Sequence, residues 1–220
     1  MAEDRFWLAS NSPRRREMLG WLDWNIQSSA ADIDESRRED EPARDYVLRV
    51  SREKVEVPIA SANAGDIFIA ADTIVVLDEN ILGKPRDTDH AFEMLTALCG
   101  RTHYVFTAIA VKTKAGMMQD VCCSPVRMRD YTREEISAYI ASGDPMDKAG
   151  AYAIQYQEFS PVRQFNGCFA SVMGMPLCHL ERTLKKLGIS NPHQFANPCQ
   201  NHLEYACPIT ERVMAGEDVG

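Results

Sequence analysis

No stretch of this 220-residue chain is apolar for long enough to cross a bilayer, and its N-terminus lacks the hydrophobic segment of a signal peptide. A cytoplasmic protein is expected. Positive charge is also in short supply. The 24 lysines and arginines face 32 acidic residues, for a net charge of −8, which argues against a general nucleic-acid surface but leaves room for a small cationic pocket. Seven cysteines, an odd number at irregular spacing, do not suggest a disulfide framework, so reduced thiols are expected. There is no Gly-x-x-x-x-Gly-Lys-Ser/Thr loop, which counts against a kinase or motor-type NTPase, and no Gly-x-Ser-x-Gly nucleophile elbow. Internal repeats and low-complexity runs are absent. At 45% hydrophobic, the chain can bury one substantial core, or one core divided between two lobes.

What is present centres on residues 67 to 85. Asp72 interrupts an apolar, β-branched run that otherwise reads as a buried strand. An ionised carboxylate there costs several kcal/mol unless a cation, a metal or hydrogen-bond donors meet it. The alternative is an aspartate satisfied by loop amides at a strand end. Asp78-Glu79-Asn80 reads as a tight turn, after which Gly83-Lys84-Pro85 returns a cation toward the same region.

Near the N-terminus, Ser12-Pro13 reads as a helix cap and first helical residue, with Arg14 and Arg15 in the first turn. Free N–H groups and the positive dipole end make this an anion site, and cations placed there oppose helix stability. A third segment, Gly143 to Gln155, follows a helix opened by a Thr132/Glu135 capping box and stopped by Gly143. It carries Asp147, Lys148 and Gln155, each of which could equally be an ordinary loop residue. In a helix from Pro42 to about Val57, Lys54 shares the stripe of Ala43, Val47 and Val50, so it either points into a cleft or snorkels at the stripe's edge.

Leu-Ala-Ser-Asn-Ser-Pro-Arg-Arg at 8 to 15, Ala71-Asp72-Thr73 with Gly83-Lys84-Pro85, Ser142 to Gln155, and Gly167, Val172 and Gly174 to Leu177 occur in one order over roughly residues 6 to 187. Together they resemble the Maf family of nucleoside triphosphate pyrophosphatases. The resemblance implies an α/β fold, with a long twisted mixed sheet flanked by helices and two lobes around a deep nucleotide cleft, similar to inosine triphosphate pyrophosphatase. It implies a single domain over 1 to 188, with 189 to 220 as a tail outside the match, and a homodimer. It assigns Asp72, Lys84 and Lys54 to catalysis, with Asp72 as general base. Ser10, Arg14, Arg15, Thr73, Lys148 and Gln155 are assigned to substrate. Of these, Thr73, Gln155 and one of the paired arginines are associated with base choice. Glu35, in Asp32-Ile33-Asp34-Glu35, joins Asp72 as a plausible oxygen ligand for a divalent cation such as Mg²⁺, Mn²⁺ or Co²⁺.

Threonine at 73 resembles the dTTP/UTP-preferring branch. The 7-methyl-GTP branch typically has glutamine there, and a nucleotide-sensing regulator of cell division is a third reading. Tyr156, where the family usually has glycine, and Ser171, where it often has asparagine, depart from the pattern near the expected base side.

Alternating strands and helices are expected: strands at 6–9, 24–29, 67–77, 81–83, 103–113, 117–130 and 150–155, with strand and loop over 163–173. Helices are expected at 13–22, 42–57, 88–99 and 176–187. Residues 189 to 220 read as a loosely ordered or surface-packed tail. His193, Cys199, His202 and Cys207 in it fit no compact zinc spacing, and Cys122-Cys123 reads as a strand pair.

Overall fold

The computed structural model describes residues 5–63, 65–189 and 194–220. Six strands form one mixed sheet: β1 (Phe6–Ala9), β2 (Ile26–Ser29), β3 (Ile67–Leu77), β4 (Asn80–Leu82), β5 (Thr102–Thr113) and β6 (Gly116–Arg127). The order is β2-β1-β3-β5-β6, and β4 also pairs with β3. The β2-β1-β3 pairs are parallel, whereas β4, β5 and β6 run antiparallel to their neighbours. β3 spans 11 residues, roughly 36 Å of extended chain.

The far edge of β3 is shared. β1 pairs with Ile67 to Ile69, and β4 pairs with Val75 to Leu77. Between these partners the strand edge around Asp72 and Thr73 is left open. β1 runs on into the loop that starts α1 (Pro13–Gly20), and β4 runs on to Lys84. The sheet therefore splits at this point, and two loops flank the split.

Alternation along β3 builds a core on each side of the split. Ile67, Ile69 and Ala71 join a cluster with α1 and with α6 (Leu177–Lys186), whereas Val75 and Leu77 join a second cluster with α3 (Thr88–Leu98) and α4 (Arg133–Ala141). These are the two lobes. The opposite face, Ala70, Asp72, Ile74 and Val76, meets α2 (Ala43–Glu56) through Val47 and Val55.

Two expectations need correcting. Residues 150–155 form no strand. Ala149–Ala151 is a single 3-10 turn, with Gly150 at φ 70° and Ala151 at φ 58°, and these positive torsions break an extended path. The Gly150 N–H donates instead to Gly83 O at 3.0 Å, which ties the segment to the loop carrying Lys84. In 163–173 the regular element is a short helix, α5 (Phe169–Met173).

The C-terminal segment is also not loosely ordered. α7 (Ala196–Leu203) and α8 (Thr210–Met214) bring Phe195, Cys199, Ile209 and Val213 into the first cluster, and Phe195 is fully buried. His202 stacks on Trp21 at 4.9 Å, and His193 lies outside the described residues. Among the described residues no helix is long and apolar enough to cross a membrane.

Candidate active site

At the split in the sheet lies a cleft of about 580 Å³, a volume suited to a ligand of nucleotide size. Ser10, Arg14, Arg15, Glu35, Lys54, Asp72, Thr73, Lys84, Lys148 and Gln155 all line it. Every candidate site residue read from the sequence is thus brought to one place, from six separate stretches of chain.

Asp72 sits in mid-strand, 7% exposed, so the strand-end alternative does not apply. It meets Lys54 of α2, whose Nζ donates to Asp72 Oδ1 at 2.8 Å and to Glu35 Oε2 at 2.9 Å. Lys54 is itself 7% exposed, so its position on the apolar stripe aims it inward. Burial raises the pKa of Asp72, and the charges of Lys54 and Arg15 only partly offset that. Two carboxylates thus converge on one ammonium, one of them held at an electrostatic disadvantage.

The loop carrying Glu35 is held in place from α2. Tyr46 Oη donates to Glu35 O at 2.7 Å. Arg49 donates to Ser36 O and to both oxygens of Glu41, and this hydrogen bonding holds the Glu41 carboxyl down to about 2. Sequence reading did not single out Tyr46. The signal was present, because Tyr46, Val50 and Lys54 fall on one helical face at successive four-residue steps.

Ser12 caps α1, its Oγ accepting from the Arg15 N–H at 3.4 Å, with Pro13 in the first turn. The two arginines then differ. Arg15 donates from Nε to Gly174 O at 2.9 Å, from Nη1 to Ser10 Oγ at 3.4 Å and from Nη2 to Thr73 Oγ1 at 3.0 Å. Burial lowers its pKa, with Asp72 opposing. Gly174, at φ 106°, lets its carbonyl come this close. A Cβ there would lie 3.3 Å from Thr73 Oγ1 and 3.4 Å from Arg15 Nε.

Thr73 Oγ1 also lies 3.0 Å from Thr107 Oγ1, which donates to Ser171 O at 2.7 Å. Thr107 was missed in the sequence. It becomes visible only once the β3–β5 register sets it opposite Thr73. Ser171 thus enters through its carbonyl. Tyr156 lies away from the cleft lining, its ring 4.9 Å from that of Tyr139 in the second core.

Of the five cations, three are already engaged. Lys148 pairs with Asp147 at 2.7 Å and Asp144 at 2.9 Å, Lys54 holds Asp72 and Glu35, and Arg15 ties Thr73 to Gly174. Arg14 and Lys84 make no ion pair and no side-chain hydrogen bond with any described residue. Their charges reach Asp147 all the same. Its carboxyl is pushed up by burial but ends below its ordinary value through the Lys148 hydrogen bond and the charges of Lys148, Arg14 and Lys84. Hard-oxygen donors from Glu35 and Asp72 at one point suit a small divalent cation such as Mg²⁺.

A family model described as "Maf-like protein" matches residues 5–187. The dTTP/UTP pyrophosphatase of Photorhabdus laumondii is 40% identical over 82% of this chain and 92% of its own length. The protein of the same name from Methylococcus capsulatus is 44% identical over 89% and 97%, and one from Escherichia coli is 42% identical over 78% and 87%. The solved Staphylococcus aureus Ham1 protein superposes with a TM-score of 0.41 at 13% identity, over 58% of this chain and 73% of that one.

Proposed function

Since this chain belongs to the Maf family, we propose that it hydrolyses dTTP and UTP to the nucleoside monophosphate and pyrophosphate, a step in cytoplasmic nucleotide-pool housekeeping. The observation that carries the reading is the pairing of a buried, disfavoured carboxylate, Asp72, with two unengaged cations, Arg14 and Lys84, across one cleft.

Roles follow from the contacts. Arg14, Lys84 and the N-terminus of α1 receive the phosphate chain, where charge-assisted bonds are strongest. Asp72 accepts a proton from the attacking water. The new bond forms at the α-phosphorus as the bridge to the β-phosphate breaks, and the electron pair leaves with pyrophosphate. A carboxylate with a raised pKa is a better base for this step. Lys54 keeps Asp72 and Glu35 aligned, and Lys148 fixes Asp147 beside the phosphate cations. A divalent ion held by Asp72 and Glu35 supplies charge neutralisation on the phosphate oxygens.

Base choice rests on Thr73, held by Arg15 and Thr107, together with Gln155. Thr73 is short, which leaves room for a pyrimidine to approach the strand. A homodimer belongs to the same reading and is checked by light scattering on the eluting protein.

The test is pyrophosphate release from a panel of dTTP, UTP, 7-methyl-GTP and the standard purine nucleotides with Mg²⁺, Mn²⁺ or Co²⁺. Preference for dTTP and UTP is expected. Preference for 7-methyl-GTP would move the base assignment, and binding without turnover in every case would replace the enzyme by a sensor.

A further inference from the structure

Outside the cleft the fold gathers a second set of chemically capable side chains. Cys122 lies in β6, Cys168 directly precedes α5, and His179 is in the first turn of α6. Their ligand atoms all lie within 4.8 Å of one another, and all three residues are buried. Nothing in the sequence spacing marks them, since each comes from a different element.

The tautomer of His179 is fixed by its surroundings. Its Nε2 lies 3.0 Å from Val219 O, an atom that can only accept, so Nε2 carries the proton. Nδ1 then bears a lone pair, and it has no hydrogen-bond partner although the residue is 0% exposed. With Nε2 engaged, Nδ1 is the nitrogen left to meet the two sulfurs. An imidazole that donates one ring N–H to a backbone carbonyl and presents the other nitrogen bare is the arrangement that metal-ligating histidines adopt.

We propose that Cys122, Cys168 and His179 form a buried structural site for zinc, chemically distinct from the oxygen-lined cleft. Two thiolates neutralise a divalent ion, so the assembled site buries no net charge. A triangle with sides no longer than 4.8 Å leaves a central ion at most about half an ångström beyond the usual 2.3 Å zinc–sulfur bond. Cys207 lies near the group without belonging to it. Its sulfur lies 3.9 Å from the carbonyl oxygen of Gly167, the residue before Cys168. A small apolar crevice lined by Cys178, Cys199 and Cys207 reaches Cys168. The ion would join β6, α6 and the C-terminal segment, which reaches His179 through Val219.

The experiment uses intact, chelator-treated wild-type protein titrated with Co²⁺ as a probe of the zinc site. One equivalent is expected to develop a thiolate-to-cobalt charge-transfer band that Zn²⁺ then erases. The cleft, with oxygen ligands only, contributes no such band, so Glu35→Gln should keep it. Cys122→Ser, Cys168→Ser and His179→Gln should lose the band or weaken zinc affinity by more than the roughly 10–100-fold typical of outer-shell changes. Cys123→Ser, at the next position in the strand, should behave as wild type. X-ray absorption at the zinc edge of the loaded wild-type protein should count two sulfur neighbours, a reading that requires no variant to fold. Absence of the band in wild type, its survival in both serine variants, or a zinc shell without sulfur overturns the proposal.

Discussion

Asp72→Asn keeps the side chain's shape and removes its charge, which separates a catalytic from a structural aspartate. Two magnitudes oppose each other. Losing a charge-assisted hydrogen bond from Lys54 at 2.8 Å would cost about 1.5–3 kcal/mol if nothing replaced it. Burying an ionised carboxylate costs several kcal/mol even after relaxation. The raised pKa of Asp72 shows which side wins: despite Lys54 and Arg15, burial leaves the ionised form disfavoured in the folded state. Asparagine Oδ1 can still accept from Lys54, and Lys54 keeps Glu35 at 2.9 Å. The variant is therefore expected to be as stable as wild type or up to about 2 kcal/mol more stable, a melting rise of roughly 0–6 °C for a chain of this size. The sign also fixes the pH dependence. A carboxyl raised above its unfolded value stabilises the fold as pH falls through the folded pKa toward the unfolded one, and Asp72→Asn lacks that gain.

Turnover should fall about 10²–10⁴-fold for loss of the base alone. Lys54→Met should do the reverse to stability, because it strands Asp72 without its donor, at about 3–5 kcal/mol and roughly 10 °C. Calorimetry together with pyrophosphate release from dTTP reads both outcomes. An Asp72→Asn protein that stays active and melts lower would refute the reasoning.

Lys84→Ala should leave the melting temperature within about 1 °C, since Lys84 is exposed, while kcat/KM falls by about 1.5–3 kcal/mol, or 10–150-fold. An unchanged kcat/KM removes Lys84 from the phosphate role. Arg15→Lys keeps the charge but cannot span Gly174, Ser10 and Thr73, so the preference for dTTP and UTP over other bases should narrow more than kcat falls. An intact preference would free Thr73 from Arg15. Burial holds His103 down to about 4, against Tyr152 Oη at 2.8 Å. Its contribution to stability, of order 3 kcal/mol, is present above pH 6.5 and lost as pH falls toward 4. Melting curves across that range should flatten in His103→Gln. Removing the chain after Ile189 deletes buried Phe195, Ile209 and Val213, so it should lower the melting temperature by about 10 °C or more, or leave the protein insoluble. A soluble truncation that melts like wild type would show that these contacts contribute little.

Where one residue broke a local pattern, the sequence was readable. Asp72 stood out against β-branched neighbours, Lys54 lay on an apolar helical stripe, and two arginines occupied the wrong end of a helix dipole. Each is a conflict within a single element, and a one-dimensional string shows such conflicts directly. Thr107 and the Cys122, Cys168 and His179 group had no comparable mark. The first needs the β3–β5 register, and the last needs three elements to meet in the core. Short apolar runs also mislead. Ala151 to Ile154 reads as a strand because burial without periodicity looks alike in a strand and in a buried turn, and the left-handed torsions at Gly150 and Ala151 decide otherwise. The packing of residues 194 to 220 was hidden for a similar reason, since Phe195, Ile209 and Val213 lie in short apolar patches with no sustained helical or strand period.

β3 and β5 run unbroken from one lobe into the other, paired from Phe68 and Lys112 to Val76 and Tyr104, and β6 extends the ladder along its whole length. Swinging the lobes together would bend three laddered strands at once, close to Asp72. Enzymes that close by domain rotation place a few soft loop residues at the pivot, and among the described residues the β3–β5–β6 ladder offers no such pivot beside Asp72. The mouth therefore has a nearly constant gauge. On the proposed reading, a nucleotide is accepted or turned away by how it fits on arrival, and pyrophosphate would depart past Arg14 and Lys84 without waiting for a gate. The pace of turnover would, on the same reading, be set by bond breaking or by the grip of those two cations on the leaving anion.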